Sequence, residues 1–193
     1  VAFAHEKGIA HRDLTPSNIM LGRHGETLVV DWGLARRLDH TGPDDPPPAW
    51  PRTARKLVGT RMGENVGTPR YMSPEQAVGA WDHFGPATDV FGLGAALYRV
   101  LVGRPPFDDP DDQVCREKAY RVDCPRPRQV DRSIPAALEA ICLKAMMGDP
   151  EQRYASPLDL GRDLSRWVEH QPLSIPRAAT VRAWEQQRVD EPS

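Results

Sequence analysis

The sequence predicts an α+β fold that is mainly helical, and three observations carry that expectation. Two short apolar runs flank a glycine-containing turn near the start, a proline-crowded stretch follows, and segments with helical apolar spacing fill most of the remainder. The 193 residues suit one domain or a large piece of one, and 39% apolar content is enough to build a core. With 25 basic and 27 acidic residues the net charge is −2, so no basic excess marks nucleic acid as a partner. Cys115, Cys124 and Cys142 are odd in number and lack CxxC spacing, which predicts reduced thiols rather than a disulfide frame or zinc site. The richest apolar run, VFGLGAALYRVLVG, is interrupted by Arg99, so no membrane contact is expected from this segment. The opening VAFAHEKG has neither an initiator Met nor a signal-peptide layout and reads as cut from a longer chain.

Along the chain, HRDLTPSN (His11–Asn18) leads into Ile19-Met20-Leu21, then GRHGE, then Thr27-Leu28-Val29-Val30, which predicts a small β-hairpin. Asp31-Trp32-Gly33 follows at once and puts an acid at a strand end. TGPDDPPPAWP (Thr41–Pro51) carries five prolines, which suit neither a helix interior nor a central strand; an exposed loop is expected, running on through RTARK (Arg52–Lys56). From Asp89, DVFGLGAALYRVLVG is apolar on almost every side of a helical wheel and predicts a buried central helix. Asp89 itself then needs an internal partner, because an unpaired buried carboxylate is costly. In SIPAALEAICLKAMMG, Ser133 is the expected N-cap, with Pro135 in the first turn. Leu138, Ile141, Cys142 and Ala145 form one stripe, and Gly148 and Pro150 supply the stop. In SPLDLGRDLSRWVEH, Ser156 with Asp159 forms a variant capping box, and Leu160, Leu164, Trp167 and Val168 share a face. A last amphipathic helix is expected around Val181 and Trp184.

Asp13 with Asn18, or a strand-end Asp31-Trp32-Gly33, would each alone be a common turn. In this order, joined by a hairpin, they suit phosphoryl transfer from ATP, which needs metal ions, positioning and a group to orient the acceptor hydroxyl. Asp13 can accept that hydroxyl's proton, and Asn18 and Asp31 supply the hard oxygens magnesium prefers.

The order of these residues resembles the C-terminal lobe of a eukaryotic-type serine/threonine protein kinase. HRDLTPSN matches the catalytic loop H-R-D-L-x-x-x-N, and DWG stands where D-F-G is usual. GTPRYMSPEQA (Gly67–Ala77) resembles the segment ending in A-P-E, DVFGLGAALYRVLVGRPPF the large central helix, and DPEQRYAS the segment with the arginine that pairs with that glutamate. The resemblance implies a kinase-like C-lobe whose hairpin carries the catalytic loop and the metal-binding Asp. It implies residues 1–170 as a partial catalytic domain with a long activation loop over 34–66, and residues 171–193 as a tail or linker. Asp13 is then the catalytic acid, and Asn18 and Asp31 bind the ATP-bound magnesium. Arg12 receives an activation-loop phosphate, and Thr68 marks serine/threonine specificity. Glu75 pairs with Arg153, Asp89 accepts hydrogen bonds from the catalytic-loop backbone, and His11 is structural. A protein substrate, ATP, and an N-lobe of the same protein are the implied partners. The implied location is cytoplasmic, including as the cytoplasmic part of a membrane-anchored kinase.

Four departures accompany the match. Thr15 stands where serine/threonine kinases carry a lysine, which predicts weakened or altered catalysis. Trp32 replaces Phe, so its indole N–H needs a partner if buried. The activation segment is long and proline-rich, with Thr41, Thr53 and Thr60 as phosphate acceptors and Thr60 preferred. No glycine-rich loop or strand lysine precedes His5, so the 193 residues alone are expected to bind ATP poorly and transfer no phosphate. Two alternatives stand beside the kinase reading. One is a pseudokinase or interaction module, and the other a small-molecule phosphotransferase of the aminoglycoside or choline type.

Overall fold

The computed structural model describes residues 1–38, 67–80 and 83–187. Thr41, Thr53, Thr60 and the proline-rich stretch lie outside them. A short helix α1 (Ala2–Glu6) leads into β1 (Ile9–Ala10), and the loop from His11 to Asn18 ends in a 3-10 turn at Pro16–Asn18. Strands β2 (Ile19–Leu21) and β3 (Thr27–Val29) pair antiparallel, with Ile19 opposite Val29 and Leu21 opposite Thr27, as the apolar–turn–apolar pattern predicts. A second 3-10 turn, Trp32–Leu34, brings the chain back so that β4 (Arg36–Arg37) pairs antiparallel with β1. The strands on either side of the His11–Asn18 loop are therefore both tied to the segment around Asp31.

The rest is helical: α2 (Pro74–Ala77), α3 (Pro86–Val102), α4 (Asp112–Tyr120), α5 (Pro127–Val130), α6 (Ala136–Ala145), α7 (Pro157–Val168) and α8 (Arg177–Gln186). Helix α3 is the axis of the body. Val90, Phe91, Ala95 and Tyr98 are almost completely buried, and the helix packs on α6, α7 and α5. Phe91, Tyr98, Phe107, Cys142, Met146 and Trp184 share one apolar cluster, while Val90, Ile141, Tyr154 and Leu160 anchor a second on the other side of α3. Helix α8 docks on α6 through Trp184, which is fully buried, so the segment through Gln186 shares the core of the helical body. The three cysteines are free thiols, all buried.

Three local expectations are corrected. Ser133 does not cap α6: its amide donates to Asp131 (2.8 Å) in a turn, Ile134 plugs into the core, and the helix starts at Ala136 after Pro135. The same helix leaves its spiral at Met146, before Gly148, because the carbonyls of Met147 and Gly148 turn away to accept from Arg153 (2.8 and 2.9 Å). On α7, Ser156 does cap through Asp159 N–H, and Leu160 is buried; Val168, however, faces solvent rather than joining that face.

Candidate active site

The loop from His11 to Asn18 is held from below by α3. Asp89, one turn into that helix and almost fully buried, accepts the backbone N–H of His11 (2.8 Å) on Oδ2 and of Arg12 (2.7 Å) on Oδ1. His5 Nε2 lies 2.7 Å from the same Oδ2. The buried acid predicted to need an internal partner thus has three, and they satisfy the polar-burial requirement. Next to it, Gly92 lets the loop lie directly on the helix: a Cβ there would come within 3.0 Å of both Leu14 Cβ and the Leu14 carbonyl oxygen. Arg12 takes a left-handed backbone conformation (φ +71°), uncommon for a side chain with a Cβ.

His11 is a strut. Its Nε2–H donates to the Val30 carbonyl (3.0 Å) and its Nδ1 accepts the Asp13 amide (3.3 Å), so the ring ties loop to hairpin. Trp32 packs edge-on against that ring, with centroids 4.6 Å apart, and its indole N–H donates to Val29 O (2.9 Å). Trp32 is half-buried, and the indole N–H that it carries in place of Phe has its partner.

Asp13 stands at the centre. Its Oδ1 accepts both the amide and the hydroxyl of Thr68, each at 2.9 Å. Asn18 Nδ2 donates to the Asp13 carbonyl (2.8 Å) and, at 3.2 Å, to its Oδ2. Two strong bonds on Oδ1 and one long contact on Oδ2 make Oδ2 the oxygen left open to a further donor. With its NH2 committed to Asp13, the Asn18 amide presents its oxygen elsewhere. The Val30 amide donates to Asn18 O (2.9 Å), so Asp31 is the next residue along from Asn18's cross-strand partner. Asp31 is exposed, in a left-handed conformation (φ +60°), and among the described residues its carboxylate accepts one long bond (3.4 Å), from Gly33 N–H.

By chemistry, a carboxylate and an amide oxygen are donors of the hard-oxygen kind that magnesium takes. Among the described residues no three His, Cys, Asp or Glu side chains group as a metal cluster. A cation at this edge would rest on a carboxylate, an amide oxygen and water, which is the sparse, hard-oxygen shell magnesium accepts.

Arg12 is buried beneath this layer, its guanidinium 4.8 Å from the centroid of the Phe84 ring. Burial lowers its pKa to about 10, with the neighbouring positive charge of Arg36 adding to the drop and Asp89 opposing it. It stays cationic at neutral pH and sits near a second arginine. Thr15 is also buried, its hydroxyl 2.7 Å from that of Ser17, and it lines the same small cavity as Arg12, Asp13, Thr68 and Gln76.

Glu75 and Arg153 form a bidentate pair at 2.7 and 2.8 Å. Burial pushes the Glu75 carboxyl up, but the hydrogen bonds and charge of Arg153 outweigh it, and the net shift is below the usual glutamate value. Thr88 adds a third bond to Glu75 at 3.0 Å.

Two contributors were not singled out from sequence. His5 gives no sequence signal of its partnership with Asp89, 84 residues away. Gln76 does give one: Ser73-Pro74-Glu75-Gln76 is a capping box, with Gln76 Oε1 accepting Ser73 N–H (3.1 Å) and Oγ–H (3.2 Å). Thr60 lies outside the described residues.

Sequence comparison now gives this geometry its class. The sequence model of the protein kinase domain matches residues 1–162. The chain is 35% identical over 175 residues to the serine/threonine-protein kinase PknD of Protochlamydia amoebophila, covering 88% of this chain and 17% of the relative. It is 34% identical over 178 residues to PknB of Mycobacterium leprae (92% and 26%), and 33% identical over 178 residues to PknB of Mycobacterium tuberculosis (92% and 26%). The chain belongs to the protein kinase family. It spans about a quarter or less of the length of these curated relatives.

Proposed function

We propose that this chain is the catalytic lobe of a serine/threonine protein kinase, transferring the γ-phosphate of ATP to protein hydroxyls. Asp13 is the catalytic acid: its open Oδ2 takes the proton of the acceptor hydroxyl, while Thr68 fixes the carboxylate through Oδ1. Asn18 and Asp31 are the magnesium ligands, and the ion supplies neutralising charge for the ATP phosphates. Arg12, with Arg36 nearby, receives the phosphate of the activation segment, for which we assign Thr60 as the acceptor. The catalytic lobe covers residues 1–170 with its activation loop over 34–66, and 171–193 is a tail whose helix α8 folds back on the body. An N-lobe of the same protein provides the other half of the ATP site, and the catalytic unit works in the cytoplasm. No helix among the described residues is long and apolar enough to cross a membrane.

The observation that carries this reading is the Asp13 carboxylate, held by Thr68 on one oxygen and reached by Asn18 on the other. The experiment is phosphate transfer by the full-length protein to a general protein substrate with magnesium and ATP. Asp13→Asn should abolish transfer but keep nucleotide binding; Asp31→Ala should abolish the magnesium dependence of that binding. Transfer unaffected by either substitution would remove the assignment. A second reading, a kinase fold used only for interaction, draws on Thr15: its buried hydroxyl supplies no positive charge where the family carries lysine. Nucleotide binding without any turnover would favour it. The family match leaves the small-molecule phosphotransferase alternative without support.

A further inference from the structure

We propose that Gln76 is a positioning residue that locks the left-handed Arg12 peptide to the end of the activation segment, so that Asp13 is aligned only while residues 67–77 are seated. The inference deepens the kinase reading and rests on it. The Arg12 peptide is gripped from two sides. Asp89 takes its N–H at 2.7 Å, and Gln76 Nε2 donates to its carbonyl at 2.7 Å. A left-handed conformation at a non-glycine residue is strained and persists only where its surroundings hold it. Asp89 belongs to α3, which is fixed in the core. Gln76 belongs to α2, at the end of the segment that carries Gly67 and Thr68, and is therefore the grip that comes from a different element.

Both ends of the Gln76 amide are assigned by their partners. Oε1 accepts from Ser73 N–H and Oγ–H, so Nε2 must face Arg12. The side chain is almost fully buried, so water cannot stand in for the bond. Gly67 crosses directly over this link. At φ +114° it takes a conformation that L side chains rarely adopt, and a Cβ would lie 3.0 Å from Gln76 Nε2 and 3.3 Å from the Arg12 carbonyl oxygen. The next residue, Thr68, bonds Asp13. Gly67, Thr68 and Gln76 thus form one layer over residues 12 and 13, and a shift of that layer releases the Arg12 carbonyl and the Asp13 carboxylate together.

The test is Gln76→Glu in the full-length protein. The carboxylate keeps an acceptor for Ser73 but turns the donor facing Arg12 into a second acceptor. Expected is a fall in kcat of about 10- to 100-fold, the size that a displaced catalytic group costs, with KM for ATP unchanged. Hydrogen exchange reads the same effect without catalysis: the amides of Arg12 and Thr68 should exchange about tenfold faster, and those of α6 at the parent rate. Gly67→Ala leaves the glutamine intact, crowds it from above, and should shift kcat and exchange in the same direction. It carries the test if Gln76→Glu unfolds the protein. Unchanged kcat and unchanged exchange at residues 12 and 68 would overturn the proposal, as would a uniform rise in exchange that includes α6. If the parent protein transfers no phosphate, the kinase reading fails on its own, and the exchange arms still decide the role of Gln76.

Discussion

Arg153→Ala is the sharpest test of how this lobe holds together. The guanidinium makes five hydrogen bonds: to both Glu75 oxygens (2.7 and 2.8 Å), and to the carbonyls of Met147 (2.8 Å), Ala87 (2.9 Å) and Gly148 (2.9 Å). It also lies 4.9 Å from the centroid of the Phe91 ring. Truncation leaves a buried carboxylate with hydroxyl and backbone donors but no counter-charge, and unties three carbonyls. Breaking one side of a buried ion pair costs about 3–5 kcal/mol. With a urea slope of about 2 kcal/mol per molar, the midpoint should drop by about 1.5–2.5 M. The pH dependence separates this cause from a simple cavity. In the parent, the folded pKa of Glu75 lies below its unfolded value, so its contribution is present above the unfolded pKa and is lost as pH falls through the folded one. In the variant, burial acts on Glu75 without Arg153 and raises its folded pKa, so the penalty fades as the carboxyl protonates. The stability gap between the two proteins should therefore narrow from pH 7 toward pH 4. Urea melts at both pH values measure it. An unchanged midpoint at pH 7, or a gap of equal size at both, would refute the ion-pair argument.

Asp89→Asn should cost about 2–3 kcal/mol in chemical denaturation, because one of the loop amides would then face an NH2 donor in place of a charged acceptor; phosphate transfer should fall with it. Thr15→Lys should raise turnover about tenfold in the full-length protein, since the ammonium would supply, beside Asp13 and Thr68, the positive charge that the Thr15 hydroxyl lacks. Steady-state kcat checks it, and no gain would remove the argument that the missing charge limits catalysis.

Much of this lobe was legible along the chain because its signals are local. The hairpin follows from apolar pairs around a glycine turn, α3 from a wheel apolar on nearly every side, and the Ser156 cap from its spacing to Asp159. The failures were local too, one caused by a competing turn and two by tertiary packing. Ser133 has cap chemistry, but Asp131 takes its amide. Gly148 stands where a stop was expected, yet the helix ends earlier because Arg153 needs the carbonyls beyond it. Val168 falls on an apolar stripe that the core does not extend to cover.

From residue types and their order alone came the family, the candidate Asp13, Asn18 and Asp31, and the need for a partner at Asp89. Which atoms meet was decided by folding. Only the packing of α3 against the loop brings Asp89 to two amides 77 and 78 residues away, and only the return of Gly67 and Thr68 over that loop closes Asp13 and Gln76 into one layer. Chain order carries composition and period, whereas a hydrogen bond needs a distance of about 3 Å, and that distance is set by burial and close approach across the core.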